Sequence, residues 1–176
     1  SRGLKNEKKI ALANKHLDSR FIFYNSGYNL RPTDITASIG LSQFKDLNKF
    51  IKQRSRNRSK ILKKFNKNNK LSKVLTFIDA NRHVKPHWFG IPILLSKKIN
   101  RNKFLKKIEK EGVETRPIIS GNFLKQPSIK KYKLNNQGKF KNSDLINNHG
   151  FFIGLPTYNI TDKKIKKLVS IFEKSI

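Results

Sequence analysis

Cysteine and methionine are both absent from this sequence. Without thiols the chain can form neither disulfides nor thiolate metal sites. No apolar run reaches the roughly 18 residues that a membrane-spanning helix needs, and the first seven residues lack the pattern of a signal peptide. These absences predict a cytoplasmic protein that does not span a membrane.

Acidic residues are scarce, with 11 Asp and Glu against 40 Lys and Arg, and the formal net charge is +29. A charge of this size raises RNA or another anionic surface as a partner. The lysines are spread over every predicted helix rather than gathered in one arm, which agrees with a Lys-, Asn- and Ile-rich composition. We therefore predict no nucleic-acid function, and a basic RNA- or surface-binding module is kept as the second alternative.

Apolar spacing predicts most of the regular structure. A helix starting near Thr33 and breaking near Asp46 is followed by a second amphipathic register that ends at the 66–70 polar run. Further elements are predicted as strands over 74–78, 87–95, 113–119 and 151–153, and as helices after Asn100, over 142–148 and after Thr161. This order predicts an α/β fold, an α+β sandwich of helices packed on a mainly antiparallel sheet.

Three features of the predicted elements are less regular. Pro92 and Pro117 lie inside strand-like runs, and proline in a strand indicates an edge or a bulge. The aromatic and β-branched run from Phe21 to Tyr24 predicts a short extended segment. Arg54 and Arg58 occupy the apolar face of the second helix, where they are expected to snorkel or to pair.

One stretch, residues 26–46, combines a loop with a helix start. Pro32 suits a first helical turn, where its missing N–H is not needed. Tyr28, Asn29 and Arg31 therefore lie in the loop just before a helix N-terminus, where free N–H groups attract anions. The residues alone predict an anion-binding loop.

The residue pattern of this stretch resembles that of the DegT/StrS family. It reads Gly-Tyr-Asn-x-Arg-x-Thr-Asp and then Ile-x-Ala-x-x-Gly-Leu-x-Gln. Members of that family are pyridoxal-phosphate (PLP) enzymes that act on nucleotide-linked keto sugars and are about twice as long. The resemblance implies the C-terminal small domain of a fold-type I PLP-dependent transferase. It divides the chain into the end of a large-domain segment (1–32), linking helices (33–68) and the small domain (69–176).

A second segment, from Glu114 to Pro127, resembles the 3-dehydratase branch of the family. The aminotransferase branch usually has a Pro-Leu-His setting here, whereas this chain has Gly121-Asn122. The downstream segment from His149 to Gly154 also resembles the dehydratases, although their usual Asn-His continuation is replaced by Leu and Pro. The resemblance implies removal of the C3 hydroxyl from a nucleotide-linked 4-keto-6-deoxyhexose, with a sugar aminotransferase as the alternative.

The resemblance also assigns residues. In a homodimer formed through the large domain and loop 26–34, Asn29 and Arg31, with Tyr28, are expected at the phosphate of the partner subunit's PLP or pyridoxamine phosphate (PMP). This loop would thus serve the active site of the other subunit.

Arg116, Asn122 and His149 are the candidates for binding the nucleotide-diphosphate sugar. A guanidinium can hold a phosphate through two N–H groups, but Arg116 can equally form a surface pair at a strand end. Asn122 can offer a donor and an acceptor to a sugar hydroxyl, or simply form a turn. His149 can be an acid or base, or a helix C-terminal residue favoured by the dipole.

What the sequence lacks limits the chemistry further. In the resembled family a lysine, or in the dehydratases a His, and an Asp on the pyridine nitrogen hold the cofactor ring, all in the large N-terminal domain. No such pattern is found here, so the chain is expected to contain no catalytic residue and to be inactive alone. One dehydratase subgroup carries an iron–sulfur cluster on cysteines, and their absence favours the cluster-free subgroup. The other histidines show no metal-ligand spacing.

Overall fold

The computed structural model describes residues 7–25, 27, 33–132 and 138–176, with the backbone only at residue 130. Contacts between residues divide the chain into two compact units. The first unit comprises 1–31 and 117–148, and the second comprises 32–116 and 149–176.

Six helices and four strands are found among the described residues. The helices are α1 (Glu7–Ala13), α2 (Asp34–Phe44), α3 (Leu47–Asn66), α4 (Arg101–Lys110), α5 (Lys141–His149) and α6 (Asp162–Ser175). The strands are β1 (Leu75–Phe77), β2 (Gly90–Leu95), β3 (Thr115–Arg116) and β4 (Gly150–Gly154). Short 3-10 turns occupy Ser19–Phe21, Leu71–Lys73, Phe123–Lys125 and Pro127–Lys131. No helix in the described ranges is both long and apolar enough to cross a membrane.

The second unit contains the whole sheet, whose strand order is β1-β2-β4-β3 with every neighbouring pair antiparallel. The register places Ile91 opposite Ile153 and Phe77 opposite Ile93. Because side chains alternate along a strand, this register gathers the buried residues on one face of the sheet. The predicted α/β fold with a mainly antiparallel sheet is confirmed.

Helices α3, α4 and α6 contribute the other half of this core. Phe172 of α6 lies between Phe65 of α3 and Phe104 of α4, with ring centroids 5.1 Å and 5.6 Å away and nearly perpendicular planes. Edge-to-face packing of this kind stabilises a core beyond the area that the rings bury. The three helices thereby share one aromatic centre.

Local signals for helix ends are confirmed. The Asn100 side chain accepts a hydrogen bond from the Lys103 amide at 3.0 Å and so caps α4, which ends before Gly112 with its φ of +84°. Thr161 caps α6 through the Lys164 amide. The break predicted near Asp46 separates α2 from α3.

The prediction that Pro92 marks an edge or a bulge is wrong, because β2 is paired on both sides. In an antiparallel strand the N–H and C=O of one residue point to the same neighbour. The Pro92 carbonyl accepts from the Ile78 amide, just beyond the end of β1. The Ile78 carbonyl is the acceptor that an N–H at position 92 would have met. It accepts from Arg58 at 3.2 Å instead, so the absence of an N–H on proline leaves no carbonyl there without a donor.

Three predicted strands are shorter than expected, β1 by one residue at each end, and one extended run is not a strand. β2 begins at Gly90, and β3 keeps only two residues, although it is an edge strand as Pro117 predicted. In the first unit, Phe21 ends a 3-10 turn, and the Phe23 backbone bonds to the Gln126 side chain and the Ser128 amide, both at 2.8 Å. Hydrogen bonds to a loop therefore pair the backbone of this segment, in place of hydrogen bonds to a neighbouring strand.

Candidate functional site

The predicted cofactor-phosphate residues Tyr28, Asn29 and Arg31 lie outside the described residues. The helix that follows them, α2, begins at Asp34 after the N-cap residue Thr33, whose side chain makes no capping hydrogen bond. The anion-binding loop therefore stays a prediction. An amide and a guanidinium beside a helix start are a donor set that fits a phosphate group.

The described residues do not fit the rest of the cofactor. Every lysine whose side chain the structure describes is exposed except Lys125, which is half-buried and paired with Asp144 at 2.8 Å. A lysine that holds a cofactor ring is normally desolvated in a pocket. Over the described ranges, no three His, Asp or Glu residues are grouped closely enough to hold a metal ion.

A groove of about 700 Å³ lies in the second unit and contains one of the predicted substrate residues. Its walls come from β3 with the turn before it, from the loop after β4, and from the first turns of α6. Arg116 lines it together with Glu114. The structure thus places Arg116 at a concave surface, as expected of a ligand-binding residue.

Arg116 is also paired on the surface, as the alternative interpretation predicted. Its Nε and Nη2 donate to the same oxygen of Glu114, at 3.1 Å and 3.0 Å, and both side chains are exposed. Exposed pairs of this kind contribute little to stability, about 0–1 kcal/mol. A bound anion can therefore replace Glu114 as the partner of the Arg116 guanidinium with little loss of free energy.

A second cation reaches the groove from α6. The Lys164 ammonium lies 5.4 Å from the ring centroid of Tyr158, and both residues line the groove. The loop after β4 carries Tyr158 and leaves its ring 60% exposed. Sequence reasoning did not select either residue, because only the fold brings α6 beside this loop.

Two phenylalanines also line the groove. Phe89 and Phe152 pack edge to face with centroids 5.3 Å apart, and Phe89 remains 64% exposed. Gly90 makes this arrangement possible, because a Cβ there would lie 2.7 Å from the Phe152 ring and 2.9 Å from the Ile153 carbonyl. An exposed aromatic ring is therefore held in place at the groove by a close backbone approach.

Asn57 on α3 fixes the loop that carries Tyr158, and sequence reasoning missed it. Its side chain is fully buried and donates to the carbonyls of Pro156 at 3.0 Å and Tyr158 at 2.7 Å. Its oxygen accepts from the Ile160 amide at 3.3 Å. A polar residue four positions before Ile61 on the buried helix face was the available signal.

In the first unit, Asn122 belongs to a polar cluster. Its amide nitrogen donates to Asp144 at 2.9 Å, its oxygen accepts from the Leu124 amide at 3.0 Å, and the residue is buried. Lys125 completes the cluster by pairing with Asp144. Asn122 keeps one donor hydrogen and one lone pair beyond these contacts, and the contacts themselves favour the turn-forming alternative.

The cluster also determines the local backbone and the charge of Asp144. Gly121 has a φ of +65°, and a Cβ there would lie 2.7 Å from the side-chain oxygen of Asn147. Glycine is thus required both by conformation and by space. The hydrogen bond from Lys125, and then that from Asn122, hold the pKa of the Asp144 carboxyl below its ordinary value.

His149 is the last residue of α5, the position predicted by its structural alternative. Its Nδ1 is buried and has no hydrogen-bond partner in the described part of the chain. Buried polar atoms are normally paired, but a nitrogen this buried is not open at the surface, and His149 does not line the groove. Arg116 and Asn122 belong to different units, and the structure does not join the three substrate candidates into one described site.

Comparison with known proteins agrees with the fold. The sequence profile of the DegT/DnrJ/EryC1/StrS aminotransferase family matches residues 2–173. GDP-4-keto-6-deoxy-D-mannose 3-dehydratase of Yersinia pseudotuberculosis is 31% identical over 161 residues, which cover 89% of this chain and 39% of that protein.

Solved structures of the same enzyme type are similar to this chain. The E. coli GDP-4-keto-6-deoxy-D-mannose-3-dehydratase with bound hydrated PLP superposes with a TM-score of 0.69 at 27% identity, covering 88% of this chain and 39% of the other. A variant of GDP-4-keto-6-deoxymannose-3-dehydratase with bound GDP-perosamine gives a TM-score of 0.70, with the same identity and coverage. The chain thus spans about two fifths of the length of the relatives it matches.

Proposed function

The chain belongs to the DegT/DnrJ/EryC1/StrS aminotransferase family, and we propose that it supplies part of a PLP- or PMP-dependent nucleotide-sugar 3-dehydratase. The substrate class is a nucleotide-linked 4-keto-6-deoxyhexose, as for the GDP-4-keto-6-deoxymannose 3-dehydratases that it resembles. The observation that carries the proposal is Arg116, which lies in the dehydratase-like segment and lines the groove. A soluble cytoplasmic enzyme is part of this proposal.

In this function the chain binds and positions rather than carrying out the chemistry. Bound PLP or PMP would supply an electron sink for loss of the C3 hydroxyl. Arg116 holds an anionic part of the substrate, and His149, whose Nδ1 has no hydrogen-bond partner among the described residues, is kept as a second substrate contact. Asn122 holds the turn after Gly121, and its second amide hydrogen is the proposed donor to a sugar hydroxyl.

The cofactor would be shared between subunits of a homodimer. Asn29 and Arg31, with Tyr28, would contact the phosphate of the partner subunit's PLP, because an amide, a cation and a helix start together favour a phosphate. With no cysteine in the sequence, the chain offers no thiolate for an iron–sulfur cluster. The proposal is therefore a cluster-free dehydratase.

A chimera tests the proposal: this chain replaces the matching segment of the Yersinia enzyme. We expect the chimera to form the 3-deoxy sugar, because the resemblance implies that the cofactor-holding residues of the family lie outside the replaced segment. Arg116→Ala should raise KM for the nucleotide sugar about tenfold, as for one lost charge-assisted contact, and leave PLP retention unchanged. A chimera that folds, retains PLP and forms no 3-deoxy product would contradict the proposal.

A mixed dimer of the chimera tests the subunit arrangement. One subunit carries Asn29→Ala and the other lacks its cofactor-holding residue. If Asn29 acts in the partner's site, both defects fall on one site and about half of the activity remains, because one intact site is left. An inactive mixed dimer would show that the loop serves its own subunit.

The aminotransferase of the same family is the second candidate function. The family description and the missing Asn-His after Gly154 favour it. The reading frame upstream of Ser1 tests the choice, since a lysine at the cofactor position would favour the aminotransferase and a His the dehydratase. The isolated chain should show no PLP absorbance, and PLP held covalently at one per chain would contradict that expectation.

A further inference from the structure

The groove beside β3 has the dimensions of a small-molecule site. Its volume of about 700 Å³ lies within the range of roughly 300–1,000 Å³ that is usual for ligand pockets. Apolar side chains of Val113, Ile160 and Leu168 form part of its surface. The groove therefore has room and apolar area for a ligand much larger than a phosphate ion.

Its charged groups favour an anion. Arg116 and Lys164 line the groove and supply two cations from two different elements, β3 and α6. Among the described residues that line the groove, Glu114 is the one carboxylate. Since Glu114 shares only an exposed pair with Arg116, a diphosphate can displace it and gain a charge-assisted contact.

Its aromatic side chains favour a planar ring. Phe89 and Tyr158 are 64% and 60% exposed, although burying rings of this size would be favourable. Both are held by structure around them: Phe89 by Phe152 across Gly90, and Tyr158 through the loop that Asn57 fixes. Side chains that are held in place before binding lose little entropy when a ligand arrives.

We propose that this groove binds the nucleoside diphosphate part of the substrate. Phe89 and Tyr158 stack on the base, and Arg116 and Lys164 hold the diphosphate. Glu114 weakens binding because its charge opposes that of the phosphates. This assignment rests on the proposed function, and it adds Lys164, Phe89 and Tyr158 to the substrate contacts.

Titration of the full 176-residue chain with GDP at physiological salt, followed by calorimetry, tests the assignment. We expect saturable binding at one GDP per chain, with weaker binding of guanosine and of pyrophosphate, which each lack one half of the ligand. Arg116→Ala and Lys164→Ala should each weaken GDP binding roughly tenfold, as for one lost charge-assisted contact. Absence of saturable binding up to about 1 mM GDP would overturn the assignment.

Two further variants separate the groove from the general positive charge of the chain. Lys163→Ala removes one charge from the same helix at an exposed position that does not line the groove, and it should change GDP affinity less than twofold. Glu114→Gln should tighten GDP binding, because it removes the opposing carboxylate. Equal losses for Lys163→Ala and Lys164→Ala, or weaker binding by Glu114→Gln, would overturn the assignment.

Two results separate failure of the groove assignment from failure of the proposed dehydratase function. If the chain binds GDP as described and the chimera forms no 3-deoxy sugar, the groove stands and the dehydratase proposal fails. If the chimera is active and Lys164→Ala leaves its KM unchanged, the dehydratase proposal stands and the groove assignment fails.

Discussion

At the scale of single residues, two side chains hold loops through bonds to distant parts of the chain. Asn57 bonds three backbone groups of the loop after β4, and Gln126 bonds the backbone of Phe21 and Phe23. Both side chains are buried, so each loop would leave backbone groups without partners if its amide were removed. A buried amide of this kind acts as a substitute for regular structure.

Removal of the Asn57 amide should therefore destabilise the second unit. Asn57→Ala is expected to lower the free energy of unfolding by about 2 kcal/mol or more, because buried carbonyls lose their donors. Chemical denaturation monitored by circular dichroism measures the change. Ser59→Ala, an exposed position two residues along α3, is the control and should stay within about 0.5 kcal/mol. Similar midpoints for both variants would contradict the role of Asn57.

The lowered pKa of Asp144 predicts a dependence on pH. Since the folded pKa lies below the unfolded one, the ion pair with Lys125 stabilises the first unit above the ordinary carboxyl pKa. That stability is lost as pH falls from about 4 through the folded pKa. The difference in unfolding midpoint between wild type and Asp144→Asn should thus be present at neutral pH and vanish in acid.

A control for that experiment is Asp46→Asn, because the Asp46 carboxylate lies at the surface with its paired cation, Lys49, 4.0 Å away. This substitution should change the midpoint little at any pH. A difference for Asp144→Asn that is the same at neutral and acid pH would show that the ion pair does not respond to protonation.

At the scale of elements, α2 differs from the other helices of the second unit. Its apolar residues lie all around the helix, and Ile35, Leu41 and Phe44 are 74%, 72% and 68% exposed. Helices that are apolar on every side are usually buried in a larger body. By contrast, α6 buries one side of its surface against the sheet, with Phe172 at the centre.

Substitutions in the two helices should therefore have opposite effects. Leu41→Gln with Phe44→Gln is expected to reduce binding of the dye ANS and self-association while leaving the free energy of unfolding within about 0.5 kcal/mol, since no packing is lost. Phe172→Ala should lower it by about 3–5 kcal/mol through loss of core contacts. If the α2 variant is destabilised as strongly as the α6 variant, α2 packs against the rest of the unit.

At the scale of the whole molecule, the main feature is the high positive charge. A net charge of +29 on 176 residues repels itself in the compact state. Few acidic residues are available to offset it, and ion pairs such as Lys70–Glu173 are on the surface. Surface charges more than about 8–10 Å apart are screened at physiological ionic strength.

Stability should accordingly rise with salt. The thermal midpoint is expected to increase when NaCl is raised from about 0.02 M to 0.2 M, because screening reduces the self-repulsion. Differential scanning fluorimetry measures the midpoint. Sucrose at matched osmolality is the control, as it adds no ions. A midpoint that is unchanged or lower in NaCl would contradict dominance of self-repulsion.

Features predicted correctly from the sequence depend on neighbours along the chain. The caps at Asn100 and Thr161, the helix end at Gly112 and the break near Asp46 each follow from a few adjacent residues. The prediction that Pro92 marks an edge or a bulge was wrong, because a proline is tolerated in a paired strand when the neighbouring strand ends beside it. That condition lies outside the local sequence.

The sequence by itself determined the family, the approximate positions of the helices and strands, and Arg116 as a candidate, because these rest on residue type and spacing. Which residues come together in the groove was decided by the tertiary structure alone. Lys164 meets Tyr158, and Phe89 meets Phe152, only because α6 and the strands are brought together by the core. Contacts between residues far apart in sequence depend on how the apolar faces pack, and one buried side chain such as Asn57 can set the shape of a loop a hundred residues away.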